Sequence, residues 1–265
     1  MKKKRLIFGL CIVLILGMLW VLWGNLTVGL TRISVIEDNL PISFHGLRIA
    51  HVSDLHNSNL WKQTVKQLQK AQPDIICITG DVVDSSRTDV DTALAFAEEA
   101  IKIAPCYYIT GNHELRLDTA TYDALLEGMK KLGVIVLCDE AVTFERGDEE
   151  ILIVGASWNS ESYMDDKFAY DGYRILLVHD PKKFESYASS DYDFVLSGHA
   201  HGGQFRIPLL GGLLAPSQGW FPTYDAGLFS SGVTDMYISR GIGNSSFPLR
   251  INNRPEVILI TLQQA

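Results

Sequence analysis

The chain has 265 residues, 47% hydrophobic and 20% charged, a composition that excludes a disordered or low-complexity protein and suits one globular domain plus an appendage. Its formal net charge of -8, with no basic cluster beyond the N-terminus, leaves no footprint for nucleic acid, so no nucleic-acid partner is expected. Cys11 lies in an N-terminal apolar stretch, and Cys77, Cys106 and Cys138 lie in or beside apolar segments; they read as small core residues, not as a disulfide framework.

The appendage comes first. Four consecutive basic residues, Lys2 to Arg5, precede an uncharged apolar stretch from Leu6 to Trp23. That stretch approaches the ~20 residues of a membrane-spanning helix and exceeds the ~7–15 of a signal-peptide core. Trp20 and Trp23 fall where an interfacial aromatic belt would lie, and the basic cluster marks the cytoplasmic end. Residues 1–23 are therefore expected to be a basic end plus a single-pass membrane anchor, with the catalytic domain extracytoplasmic. The alternative is a cleaved signal peptide, with Thr27-Val28-Gly29 as the small-residue site. Residues 24–45 read as a linker and lead-in strand, the linker being about ten residues and reaching no more than ~35 Å. The main domain is expected over 46–265.

"GLRIAHVSD" reads as a buried strand stopping at Asp54, followed by a helix that places Leu60, Trp61, Val65 and Leu68 at helical spacing. "DIICITGD" repeats the pattern with a helix over 89–103, and "CYYITGNHE" repeats it again with a helix from Thr119, the expected N-cap, to Gly133. Three strand–loop–helix units imply a parallel core sheet. The second half is strand-rich: a hairpin turns at Arg146-Gly147-Asp148, and "RILLVHD", "DFVLSGH" and "PEVILITL" are further strands. So many strands predict an α/β fold with two packed sheets and helices outside.

Each buried strand ends in metal-binding side chains: Asp54 and His56, then Asp81, then Asn112 and His113, then His179, then His199 and His201. Taken singly, each is ordinary turn or core chemistry. Together they place five of the seven histidines at strand ends, where open α/β sheets bind ligands. Imidazole and carboxylate donors suit Mn, Fe or Zn, with Mg less suited to so many imidazoles, and the absence of thiolate argues against a closed structural zinc site. The set is larger than one metal requires and fits two ions about 3.5–4 Å apart. Two divalent cations, two aspartates and one hydroxide leave roughly +1 in an acidic protein, which predicts an anionic phosphate-ester substrate.

These blocks, in this order, resemble the calcineurin-like metallophosphoesterase superfamily: "DLH" at 54–56, "GD" at 80–81, "GNHE" at 111–114, His179, and "GHAH" at 198–201. The resemblance covers residues 46–262 and implies a four-layer double β-sandwich flanked by helices. It further implies one metal on Asp54, His56, Asp81 and His201, and another on Asp81, Asn112, His179 and His199, with Asp81 as the bridge. His113 would be no ligand but a catalytic residue that stabilises the transition state or protonates the leaving oxygen. The N-terminal apolar segment and "GHAHGGQFRIP" look like the membrane-associated phosphodiesterase branch, similar to UDP-2,3-diacylglucosamine hydrolase-like proteins. Those act on the cytoplasmic side, whereas Lys2 to Arg5 predict the opposite side here.

The expected activity is hydrolysis of a phosphodiester or pyrophosphate, in a lipid-linked or nucleotide-sugar substrate. The alternatives are a phosphomonoesterase on the same site and a non-catalytic membrane tether. A serine hydrolase is disfavoured, since no G-x-S-x-G occurs. The apolar, Gly/Pro-rich segment from Ile207 to Tyr224 either packs on the domain's own core or forms a hydrophobic wall beside the metals that takes an acyl chain or touches the bilayer. Arg240 and Arg250 read as ordinary arginines or phosphate holders. His45 and His51 read as structural, Asp84 and Asp180 as histidine orienters or turn residues, and Glu114 as support for the ligands.

Overall fold

The computed structural model describes residues 2–244 and 247–265. α1 (Lys2–Leu26) is apolar around its whole circumference after its basic start, is uncovered by the rest of the chain as far as Trp20, and is long and apolar enough to cross a membrane. Only Thr27 and Val28 separate it from β1 (Gly29–Glu37). The expected linker of about ten residues is therefore absent: the helix runs on to Leu26, and β1 pairs in parallel with the chain's last strand, β16 (Glu256–Gln264), from Gly29↔Glu256 to Glu37↔Gln264. Val35 is buried in the inter-sheet core and Ile33 packs against it, so this half-exposed strand is an integral edge of the first sheet.

β2 (Arg48–Val52), β3 (Ile75–Thr79) and β4 (Cys106–Ile109) are followed by α2 (Trp61–Ala71), α3 (Val90–Ile101) and α4 (Thr119–Lys131). Asp89 caps α3, accepting from Thr92 N at 3.0 Å. Asp118 caps α4, accepting from Thr121 N at 3.1 Å, where Thr119 was expected; a carboxylate also complements the helix dipole, which a hydroxyl does not. α4 stops short of Gly133, whose φ is 89°.

The second half supplies β5 (Ile135–Val136), β6 (Glu140–Arg146), β7 (Glu149–Gly155), β8 (Arg174–Leu177), the short α5 (Phe184–Ala188) and β9 (Phe194–Ser197). Two small hairpins follow, β10 (Arg206–Ile207) with β11 (Gly211–Gly212), and β12 (Leu214–Ala215) with β13 (Gly219–Trp220). β14 (Gly227–Ser231) and β15 (Thr234–Ile238) precede β16. Two six-stranded sheets result, ordered β1-β16-β2-β3-β4-β5 and β14-β15-β9-β8-β7-β6.

The layers follow from alternation along the strands. In β3, Ile75 and Cys77 join the core between the sheets with Ile153, Ile175, Leu177 and Leu196, while Ile76 and Ile78 join Leu68, Phe96 and Leu125 beneath the helices. Leu152, Val154, Leu176 and Val195 cover the outer face of the second sheet with Phe184 and Tyr187. This is the four-layer sandwich with an N-terminal apolar helix.

Strand directions fix where the loops converge. β2, β3 and β4 are mutually parallel, and β2 is antiparallel to β16, which is parallel to β1. The carboxyl ends of β2, β3 and β4 therefore lie at the same edge as the start of β1, where α1 joins the domain.

Candidate metal centre

Each loop of the site begins where a buried strand stops, and the backbone there is unusual. Asp54, His56, Asp81, His199 and His201 all have left-handed φ, between 47° and 63°. Non-glycine residues rarely occupy this region, and such conformations concentrate at functional sites. The glycines of the motifs are demanded by close approach: a Cβ on Gly198 would lie 1.9 Å from Ser53 Oγ and 2.6 Å from Asp54 Oδ2, and one on Gly111 would lie 2.3 Å from Asp81 Oδ1.

Asp54, His56 and His201 converge on one place, with His201 Nε2 at 3.4 Å and His56 Nε2 at 3.8 Å from Asp54 Oδ1. Asp81, His179 and His199 converge on a second, with His179 Nε2 at 3.1 Å from Asp81 Oδ2. His56 Nε2 also lies 3.6 Å from Asp81 Oδ2, so Asp81 touches both groups. Asn112 lies between Gly111 and His113, whose amides donate to Glu114 and Asp81.

The donor atoms fit divalent cations. Both ring nitrogens of His56, Nε2 of His179 and Oδ1 of Asn112 are buried without a hydrogen-bond partner, and orphaned buried polar atoms are costly unless something else satisfies them. His179 Nδ1 donates to Thr79 O at 2.6 Å, which leaves Nε2 to the Asp81 carboxylate; burial opposes a charge on the ring, yet Asp81 and Asp54 push it up to about 10, and a divalent cation between Nε2 and the carboxylates would take the place of that proton. His199 Nε2 meets Ser217 Oγ at 2.9 Å, which leaves Nδ1 for a metal. Burial pulls His199 down to about 4 and His201 to about 3, keeping both in the neutral form that binds metal. Burial opposes ionisation of Asp54, yet facing His201 and His56 hold its carboxyl well below the usual range.

Glu114 supports the loops. Fully buried, it accepts from Gly111 N (2.7 Å), Asp81 N (2.8 Å) and Val83 N (3.2 Å), tying the second and third ligand loops together. Burial and the nearby Asp81 push its carboxyl up to about 7. His113 packs its ring edge-on to His56, with centroids 4.6 Å apart, and its Nδ1 accepts from Ser85 N at 3.0 Å. The proton of the neutral imidazole is thereby assigned to Nε2. Asp84 stands 3.6 Å from His113 Nδ1 and instead holds the turn that presents Ser85, accepting from Ser86 N and Arg87 Nη2 at 2.9 Å each. Asp180 caps a turn through Lys182 N and does not orient His179.

His51 and His45 stay outside the site: His51 bonds Thr79 Oγ1 at 2.8 Å inside the sheet, and His45 accepts from Gln264 N. Arg250 is buried, donating to Arg240 O and Gly243 O beside His201. Arg240 lies near Glu256. Two neighbours of the site were not anticipated. The Trp158 ring lies 4.6 Å from that of His199 and 5.6 Å from that of His179, and Ser217 bonds His199. Trp158 follows the carboxyl end of β7 as the candidate ligands follow their strands, a signal that was present; Ser217 lies in the Ile207–Tyr224 segment read as a wall beside the metals, but nothing in that segment marks this serine.

Paired sheets with an Asp/His/Asn donor set at the ends of their strands define a metal-dependent hydrolase of the dinuclear kind. The chain belongs to the Calcineurin-like phosphoesterase family, which matches residues 47–203, and is a metal-dependent phosphoester hydrolase; the family uses a dinuclear divalent-metal site. It is similar to the uncharacterized metallophosphoesterase YkoQ of Bacillus subtilis, 31% identical over 231 residues that span 83% of this chain and 85% of that one. Phosphodiesterase YaeI of Escherichia coli is 29% identical over 87% of this chain and 86% of its own length. A Bos taurus transmembrane protein with a metallophosphoesterase domain is 29% identical over 89% of this chain and 57% of its own. Among solved structures, NAD nucleotidase (NadN) of Haemophilus influenzae shares the fold, with a TM-score of 0.51 and 16% identity over 74% of this chain and 45% of that one.

Proposed function

We propose that the protein is a membrane-anchored phosphoesterase that hydrolyses a phosphodiester or pyrophosphate bond of a lipid-linked or nucleotide-sugar substrate, outside the cytoplasm. The observation that carries the metal-dependent chemistry is the set of buried, partnerless imidazole nitrogens and amide oxygen around Asp81. Asp54, His56, Asp81 and His201 would hold one ion, and Asp81, Asn112, His179 and His199 the other. When bound, Mn, Fe or Zn would supply Lewis acidity toward a phosphoryl oxygen and toward the attacking water. His113 keeps its Nε2 proton because Ser85 N–H occupies Nδ1, and from Nε2 it donates to the phosphoryl or leaving oxygen. Trp158 packs against His199 and His179 and holds both rings in place. Glu114 keeps the Asp81 and Gly111 loops in register.

Anchoring is supported by α1, by the basic residues before it and by the transmembrane relative. The phosphodiesterase-named relative favours diesters. A phosphomonoesterase is the second reading, since the open site does not by its donors distinguish the two. The test is turnover of bis-nitrophenyl and mono-nitrophenyl phosphate by the Mn-loaded full chain, with Asp81→Asn as control. Faster diester cleavage supports the proposal, faster monoester cleavage favours the second reading, and no hydrolysis of either overturns both.

A further inference from the structure

The metal-bearing edge of the domain is also the edge from which α1 leaves, and the contacts there are fixed. Asn25 and Arg250 exchange two hydrogen bonds, Asn25 Nδ2 to Arg250 O and Arg250 N to Asn25 Oδ1, both at 2.8 Å. Gln63 donates to Leu26 O at 2.9 Å, and the Arg254 guanidinium lies over the Trp23 ring, 4.3 Å from its centroid. With only two residues between α1 and β1, the domain is held tightly to the helix end.

An apolar platform continues outward from this attachment. Leu249 and Ile251, both partly exposed, flank Arg250. Ile251 O accepts from Arg206 N at 2.9 Å, joining them to the β10–β11 hairpin. From that hairpin and its neighbour project Leu209, Leu210, Trp220 and Phe221; Leu210 is 69%, Trp220 68% and Phe221 63% exposed, and Leu209 wholly so. Leu209 and Phe221 take left-handed φ of 71° and 52°, which bulky residues seldom adopt, so the chain holds these tips outward at a cost in backbone energy. Ser217, between β12 and β13, bonds His199 and so fixes the second hairpin at the metal edge. A groove of about 740 Å³, lined by Asn25, Leu26, His56, Asn57, Arg87 and Asn244 among others, runs from the helix end to the metal site.

We infer that Leu209, Leu210, Trp220 and Phe221 form a membrane-docking surface that enters the headgroup layer of the leaflet from which α1 emerges, so that the metal site faces the bilayer. A lipid surface is the occupant that fits, because the platform adjoins the anchor and combines aliphatic tips with the aromatic residues that favour the interface. The inference rests on the reading of α1 as a membrane anchor.

Spin labels test it, introduced singly as Leu209→Cys, Phe221→Cys, Val233→Cys and Leu14→Cys in the full chain carrying Cys11→Ser and Cys138→Ser, reconstituted in phosphatidylcholine/phosphatidylglycerol vesicles. Val233, 77% exposed, lies in the turn that leads into β15, which is parallel to β9, and so sits at the opposite edge. The ratio of oxygen to nickel-chelate accessibility should be several-fold higher at Leu209 and Phe221 than at Val233, and high at Leu14. A bilayer signal at Leu14 with Leu209 and Phe221 matching Val233 overturns the docking surface and leaves the anchor intact. Shielding of Leu209 and Phe221 from both reagents also overturns it, indicating contact with a second copy. A water-like Leu14 overturns both readings.

Discussion

Replacement of Glu114 by Gln perturbs the site without touching a proposed ligand. The carboxylate accepts three backbone amides, from Gly111, Asp81 and Val83, in a fully buried position. In Gln, one oxygen becomes an NH2 group that cannot accept, so at least one amide is orphaned and faces another donor. An unsatisfied buried donor costs about 1–3 kcal/mol, and at pH 8, above the value of about 7 at which Glu114 ionises, the remaining bonds also lose their charge assistance, giving about 2–4 kcal/mol in total. For a domain of this size, that is a fall in Tm of roughly 5–15 °C. Because Asp81 and Gly111 lose a shared anchor, Mn affinity should fall as well. Thermal unfolding of the chelated full chain by near-UV circular dichroism, alongside Mn titration, measures both. A Tm within about 2 °C of the parent, with unchanged affinity, would refute the role given to Glu114.

Three further outcomes are expected. Gly198→Ala, whose Cβ would collide with Ser53 Oγ and Asp54 Oδ2, should displace Asp54 and lower the metal content of the purified chain; undiminished content would show that the loop has room the geometry denies it. Glu37, pushed up to about 8 by burial and by Asp235, Asp193 and Asp38, binds its proton more tightly folded than unfolded, so its contribution is present below about pH 4.5 and is lost as pH rises toward 8. Glu37→Gln should therefore gain about 1–3 kcal/mol relative to the parent between pH 5 and pH 8, read from paired melting curves, and parallel curves would contradict this. Alkaline phosphatase fused after Ala265 should be active in a bacterial host, whereas an inactive fusion would place the domain in the cytoplasm.

The candidate site was legible because metal-binding side chains at the ends of apolar runs are rare enough to stand out as a set. The helical units were legible for the same local reason, their apolar spacing and, in α3, an acidic residue in the first turn. What could not be read depends on contacts between distant parts of the chain. Residues 24–45 read as a linker of about ten residues and a lead-in strand; that the strand begins already at Gly29 was hidden because its partners, residues 256–264, lie at the other terminus. That pairing alone sets α1 at the metal edge. Ser217 and the Arg250–Asn25 exchange are likewise long-range, whereas Trp158 follows the end of an apolar run as Asp54 and Asp81 do and was within reach of the same argument. The tips at Leu209 and Phe221 could as well have packed inward; only the backbone shows that they do not.

Metal stoichiometry tests the central claim most directly. The full chain, loaded with Mn, desalted and measured by inductively coupled plasma mass spectrometry, should carry about two ions, and Asp81→Asn at most one with its circular dichroism preserved. A parent chain that holds one ion or none, or a variant that keeps both, would contradict a dinuclear centre bridged by Asp81.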